Sequence, residues 1–175
     1  RLFHKVRDFA WPSTSPAMRS LTDILDLPRL PGDPPTRPMT PTNTKNLNSI
    51  MDKMISQNRH KEFLENEFVH DLGSTKPSSS LGKCMTLTKT RCQEGQGYYS
   101  SKRQRALDIS DFLRLNGIKA DRFEGWSKHV SRPRMGALCG NGEALNVLAP
   151  IIRAALESIG LANMRSPDWA TMDLT

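Results

Sequence analysis

The chain has 175 residues, of which 37% are apolar, so one domain of ordinary size with a modest core is affordable. No stretch approaches the roughly 20 consecutive apolar residues of a membrane span, and the opening Arg-Leu-Phe-His-Lys-Val-Arg lacks the apolar run of a secretory signal, so no membrane partner is expected. Cys84, Cys92 and Cys139 show no CxxC spacing and no clustered histidine, which argues against a disulfide framework or a bound metal and for reduced, intracellular thiols, while the formal charge of +7 favours an anionic partner, with an ordinary solvated basic face as the alternative.

Twelve prolines, eleven glycines and only 6% aromatic residues imply long irregular stretches. The chain opens on Arg1 and is read as a piece of something longer. Over 1–27, Phe9-Ala10-Trp11-Pro12 precede Leu21, Ile24, Leu25 and Leu27, a short helical pattern stopped by Pro28. Six prolines between Pro28 and Pro41 make 28–44 an extended, Pro-rich loop. Leu47, Ile50, Met51, Met54 and Ile55 then predict a helix over 45–58, capped by Asn43 or Thr44. Glu67–Leu72 reads as a short strand with His70 on its surface, and 74–80 as a loop. Cys84–Thr90 alternates threonine with other residues and, with the turn-rich 93–97 and Tyr98-Tyr99, predicts a β-hairpin. That register puts Thr86, Thr88 and Thr90 on one face beside Lys89 and Arg91, which suits phosphate contact and equally suits an ordinary exposed strand.

The positive charge concentrates here. Residues 81–134 carry twelve Lys and Arg against five Asp and Glu, which is the whole excess. Within this third, Asp108 and Asp111 have capping-box spacing, with Leu107 and Phe112 as the flanking staple, and predict a helix over 109–115 that ends at Asn116-Gly117, with Arg114 exposed in its last turn. Finally, a Gly- and Asn-rich turn over 135–143 opens a helix through Val147, Leu148, Ile151, Ile152, Ala155, Leu156 and Ile159, stopped by Gly160. Backbone amides at such a turn can face an anionic group.

In order and spacing these elements resemble the C-terminal third of DNA cytosine-5 methyltransferases. The ninth conserved motif of that family, Arg-x-Leu-Thr-x-x-Glu-x-x-Arg-Leu-Gln-Gly-Phe, is similar to Arg105–Ile118: Arg105, Leu107, Arg114, Leu115 and Gly117 match, Asp108 and Asp111 keep the capping chemistry, and Asn116 stands in place of Gln. Gly140-Asn141-Gly142 and the helix after it resemble the tenth motif, and Thr86-Leu87 with Arg91, Gly95, Gly97, Tyr98 and Tyr99 resemble the target-recognition region. The resemblance implies an α+β fragment in which a small mixed β target-recognition region with a Pro-rich insert precedes two helices that pack on a Rossmann-like domain. The divisions are a lead-in segment 1–27, a Pro-rich loop 28–44, a recognition region 45–104, C-terminal motifs 105–162 and a tail 163–175.

The implied activity is methyl transfer from S-adenosylmethionine to C5 of cytosine in double-stranded DNA, in the nucleus. That carbon becomes reactive only after a thiolate adds to C6 of a base flipped out of the stack. The resemblance assigns Thr86, Thr88, Lys89, Arg91 and Arg105 to DNA and Asn141 with Gly142 to the cofactor. It assigns no catalytic residue here, because Phe-x-Gly-x-Gly, Pro-Cys-Gln and Glu-Asn-Val do not occur in this sequence and would belong to an N-terminal catalytic half. Cys92-Gln93 lacks the proline and is read as incidental. A transfer-RNA substrate and a non-catalytic nucleic-acid-binding remnant of the family are the alternatives.

Overall fold

The computed structural model describes residues 20–30, 38–94, 97–143 and 145–160. The expected lead-in Phe9–Pro12 and the tail 163–175 lie outside them. Helix α1 (Leu21–Asp26) opens on a reciprocal capping box between Ser20 and Asp23, buries Leu21 and Leu25, and ends before Pro28 as its spacing implied. Helix α2 (Pro41–Ser56) begins four residues before the expected start. Thr40 is its cap, accepting from the Asn43 amide, and Pro41 occupies the first turn, where a missing N–H costs nothing. The Pro-rich run therefore ends by opening a helix. Helix α3 (His60–Glu65) packs on α2, and Leu47, Ile50, Phe63 and Leu72 form a cluster of their own beneath them.

Four short antiparallel strands, β1 (Phe68–Asp71), β2 (Ser78–Leu81), β3 (Tyr98–Ser100) and β4 (Arg105–Ala106), form one sheet in the order β2-β1-β3-β4. The α+β composition is as expected, but the pairing is not. Ser78–Leu81, read as part of a loop, pairs with β1, and Tyr98–Ser100 pairs with β1 rather than with 84–90. The predicted hairpin is absent because residues 84–88 are irregular and Lys89–Glu94 is a helix, α4. Tyr98 gives the physical reason: its hydroxyl donates to the Thr86 carbonyl at 2.7 Å and accepts from the Thr88 amide at 3.2 Å, satisfying backbone groups that a strand would have paired. Tertiary contact overrides the β propensity of the threonines. His70, expected on a strand surface, is buried instead, stacked on Phe63 and near Phe68 and Tyr99, with Nδ1 2.8 Å from the Ser79 hydroxyl.

Helix α5 (Ile109–Leu115) follows the prediction residue for residue. Asp108 and Asp111 complete the capping box, Leu107 and Phe112 are fully buried, and Gly117 takes the left-handed conformation, φ 72°. The Gly117 amide bonds the Arg114 carbonyl and the Ile118 amide the Leu113 carbonyl, both at 2.9 Å, so the helix ends in a Schellman motif. Arg114 departs from expectation: it is half-buried, donating to the Leu27 and Pro28 carbonyls and tying α1 to α5.

Two short 3-10 turns, Ala120–Phe123 and Trp126–Lys128, lead into α6 (Arg132–Asn141) and then α7 (Leu145–Ser158). The expected turn over 135–143 is thus mostly helix, and Asn141 and Gly142 close α6 rather than open α7. Glycine serves close approach here instead of a turn. A Cβ on Gly136 would stand 2.1 Å from the Cys92 carbonyl oxygen, and one on Gly140 2.4 Å from the Thr88 carbonyl carbon, so α4 and α6 meet backbone to backbone. The main core, with Val69, Cys92, Tyr98, Leu107, Phe112, Trp126, Met135 and Cys139, lies between this helix pair, α5 and the sheet.

Candidate functional site

Helix α4 brings two parts of the expected site together. Gly140 lies against the Thr88–Lys89 peptide, so the segment assigned to DNA abuts the chain one residue before Asn141. Thr86 and Lys89 are exposed and Thr88 is half-buried, so these side chains share no strand face. Arg91 is committed inward: its Nε donates to the Asp71 carboxylate at 2.6 Å, which raises the guanidinium pKa further, and its stem lies across Gly73 and Gly97. Arg105 stands apart from these groups, on β4. It forms a bidentate pair with Asp111, at 2.5 and 3.0 Å, and that carboxylate is also the capping-box partner.

Beside this pair Arg29 reaches Asp108 at 2.6 Å. Burial pushes the Asp108 carboxyl upward, and so does the neighbouring Asp111. Two adjacent buried carboxylates at one helix start are thus each matched by an arginine from a different segment. The Arg29 partnership was not readable, because 78 residues of chain lie between it and Asp108. Arg103 is likewise engaged, pairing with both Asp26 and Glu67, and Glu67 accepts a short hydrogen bond from the Ser100 hydroxyl. Of the twelve cations in 81–134, Lys83, Lys89, Lys102, Arg122, Lys128 and Arg134 are exposed, while Arg132 is buried.

The thiols are unsuited to nucleophilic work. Burial pushes Cys84 and Cys92 up to about 12 and Cys139 up to about 11, so none is a thiolate near neutrality. Among the described residues no cluster of three His, Cys, Asp or Glu could hold a metal ion, and no helix is long and apolar enough to cross a membrane. Asn141 and Gly142 are exposed at the bend between α6 and α7, followed by exposed Glu143. Beyond the bend α7 presents Leu145, Leu148, Ile152 and Leu156, and Ile159 follows just past its end, each 37–48% exposed. The chain matches no protein-family model, no curated protein and no solved structure.

Proposed function

We propose that the chain is the C-terminal, DNA-facing portion of a DNA cytosine-5 methyltransferase. The observation that carries the reading is the apolar face of α7, uncovered over four large side chains immediately after Gly140-Asn141-Gly142. A helix of that kind needs an apolar surface to cover it, and a cofactor domain in an N-terminal half would provide one. Burying four such side chains is worth several kcal/mol, at about 1.5–3 each. The arginine-braced capping box of α5 supports the same reading, since it ties the segment that resembles the ninth motif to strand β4 through Arg105 and Asp111.

S-adenosylmethionine, when bound, supplies the methyl group. Of this chain, Asn141 and Gly142 suit its methionine end: the exposed amide can both donate and accept, and glycine lets the ligand approach the backbone. They make one wall of a site, so the isolated chain binds the cofactor weakly. Lys89 and Thr86 border the DNA phosphates, and Arg91 acts by holding α4 to β1 through Asp71. The attacking thiolate is a residue of the N-terminal half, since the three thiols here are held protonated. A nuclear location follows from the substrate.

The test is tritium transfer from labelled S-adenosylmethionine to cytosine-containing duplex by the full gene product, and by this chain co-expressed with the segment encoded before Arg1. Transfer by the pair and not by the chain alone is expected. Ile152→Asp should abolish complementation and leave the chain folded. Duplex binding by the full product without transfer would favour the non-catalytic reading, and transfer to tRNA alone would move the substrate.

A further inference from the structure

Asn116 touches both sides of the α6–α7 bend. Its backbone is fixed by the Schellman motif of α5, and the residue is only 5% exposed. From there Nδ2 donates to the Cys139 carbonyl at 2.9 Å, in the last turn of α6, an acceptor it shares with the Gly142 amide at 3.3 Å. Its own carbonyl accepts from the Leu145 amide at 2.7 Å, the first residue of α7. One residue therefore adds a second donor to a carbonyl in the last turn of one helix and accepts the orphan amide at the start of the next. Between the two bonds Asn141, Gly142 and Glu143 are exposed, while Gly140 packs against the Thr88–Lys89 peptide, so the Asn116 bonds hold the exposed part of the bend.

We infer that Asn116 is a positioning residue that holds this bend, and that through it Asn141 and Gly142 are presented to S-adenosylmethionine. The ligand's identity rests on the methyltransferase reading above; the mechanical role does not. Asparagine suits the position because the Cys139 carbonyl has a second lone pair beyond the one facing the Gly142 amide, and a short side chain on a locked backbone delivers a donor to it with little rotamer freedom to lose. Aspartate has the same shape and no donor, and it would turn an anionic oxygen toward that carbonyl. Glutamine keeps the amide on a longer stem.

Two measurements separate the inference from the reading beneath it. In the 175-residue chain the Leu145 amide keeps its backbone acceptor in every variant, so its exchange reads whether the side-chain anchor on Cys139 holds the bend closed: it should accelerate about tenfold or more in Asn116→Asp and stay within about threefold of wild type in Asn116→Gln. Asn116→Ala carries the same expectation as aspartate and introduces no charge, should the aspartate variant unfold. Unchanged Leu145 protection in folded Asp and Ala variants would overturn the inference. In the full gene product, Asn116→Ala should raise KM for S-adenosylmethionine about tenfold while kcat and KM for DNA stay within about twofold, and Asn116→Gln should restore most of the loss. A loss shared equally by both substrates would mark a merely structural residue and overturn the cofactor clause. An inactive wild-type product would sink the methyltransferase reading, and Leu145 exchange would still decide whether Asn116 holds the bend.

Discussion

Replacing Gly136 by alanine tests the α4–α6 contact on which the site's arrangement depends. The added Cβ would meet the Cys92 carbonyl oxygen at 2.1 Å, the Cys92 carbonyl carbon at 2.6 Å and the Gln93 Cα at 2.8 Å. Non-bonded carbon contacts are comfortable only at about 3.5–4.0 Å, so the helices must separate by roughly 1 Å. All three obstacles are backbone, and no rotamer change relieves them. Separation pulls on the Arg91–Asp71 pair and on fully buried Cys92. Overpacking of this kind costs about 1–3 kcal/mol, and the contact distances place it at the upper end. Against this, alanine gains about 0.5–1 kcal/mol over glycine in a helix. A net loss of about 2 kcal/mol follows, which shifts a urea midpoint by about 1 M when m is about 2 kcal/mol/M.

Urea titration followed by the fluorescence of buried Trp126 and by circular dichroism would measure it. Gly142→Ala is the milder comparison: its Cβ would find its nearest atoms at 3.3 and 3.4 Å and its φ is −73°, so its neighbours need yield only a few tenths of an ångström and a much smaller loss is expected. Cys92→Ala should not rescue Gly136→Ala, because the clash is with the carbonyl and not the thiol. A Gly136→Ala protein as stable as wild type, or more so, would refute the backbone-to-backbone packing and remove the reason for placing Thr88–Lys89 beside Asn141.

Arg105→Ala leaves the Asp111 carboxylate, 1% exposed, without its bidentate partner, and a loss of about 3–5 kcal/mol is expected in the same titration; a loss below about 1 kcal/mol would show that the capping box stands without the arginine. Burial depresses His70 from 6.5 to about 4 in the folded chain, so the unfolded chain binds a proton that the native state refuses. Stability from this group is intact above pH 6.5 and is lost as pH falls toward 4, by up to about 3 kcal/mol, whereas His70→Phe should lack that component; parallel pH profiles for the two proteins would contradict it. Lys89→Ala should reduce the salt slope of DNA binding by the full gene product by about one unit with stability unchanged, while Arg91→Ala should chiefly lower stability by releasing Asp71; equal effects on slope and stability from both would undo that division.

What the sequence made legible was local chemistry. The capping box, staple and Asn-Gly stop of α5 lie within eleven residues, and each neighbour specifies the next, so the boundaries emerged correctly. The apolar stripe of α7 was readable for the same reason. Helix α4 was not, since Lys-Thr-Arg-Cys-Gln-Glu has no helical apolar face and is held helical by α6 and by the Tyr98 hydroxyl. Strand β2 was hidden because Ser78–Leu81 needs no apolar alternation, with only one of its four residues even half-buried. At the candidate site, a break near Asn141 and Gly142 was readable but their place at the end of α6 was not, and the pairs Arg91–Asp71 and Arg29–Asp108 join distant segments and leave no periodic trace. The four-residue spacing of Gly136 and Gly140 was the unused clue, since two glycines on one helical face admit a neighbouring backbone.

The basic third of the chain divides by residue type, and the division bears on how it would meet DNA. Of its seven arginines, Arg91, Arg103 and Arg105 pair with carboxylates, Arg114 with carbonyls, and Arg132 is buried, which leaves Arg122 and Arg134 exposed. None of its five lysines is buried. The planar guanidinium fork suits fixed bidentate geometry and is spent on stitching segments together, whereas ammonium groups on flexible stems stay at the surface. A lysine-dominated surface neutralises phosphates as point charges and reads few base edges. On the methyltransferase reading, the described surface therefore contributes salt-dependent affinity and register, and sequence discrimination must come from Arg122, Arg134, residues outside the described set or the N-terminal half. Replacing Lys83, Lys89 and Lys102 together should lower binding to cognate and unrelated duplexes by the same factor and flatten the salt slope by about three units. A selective loss on the cognate duplex would reverse this assignment and make the lysine face the specificity surface.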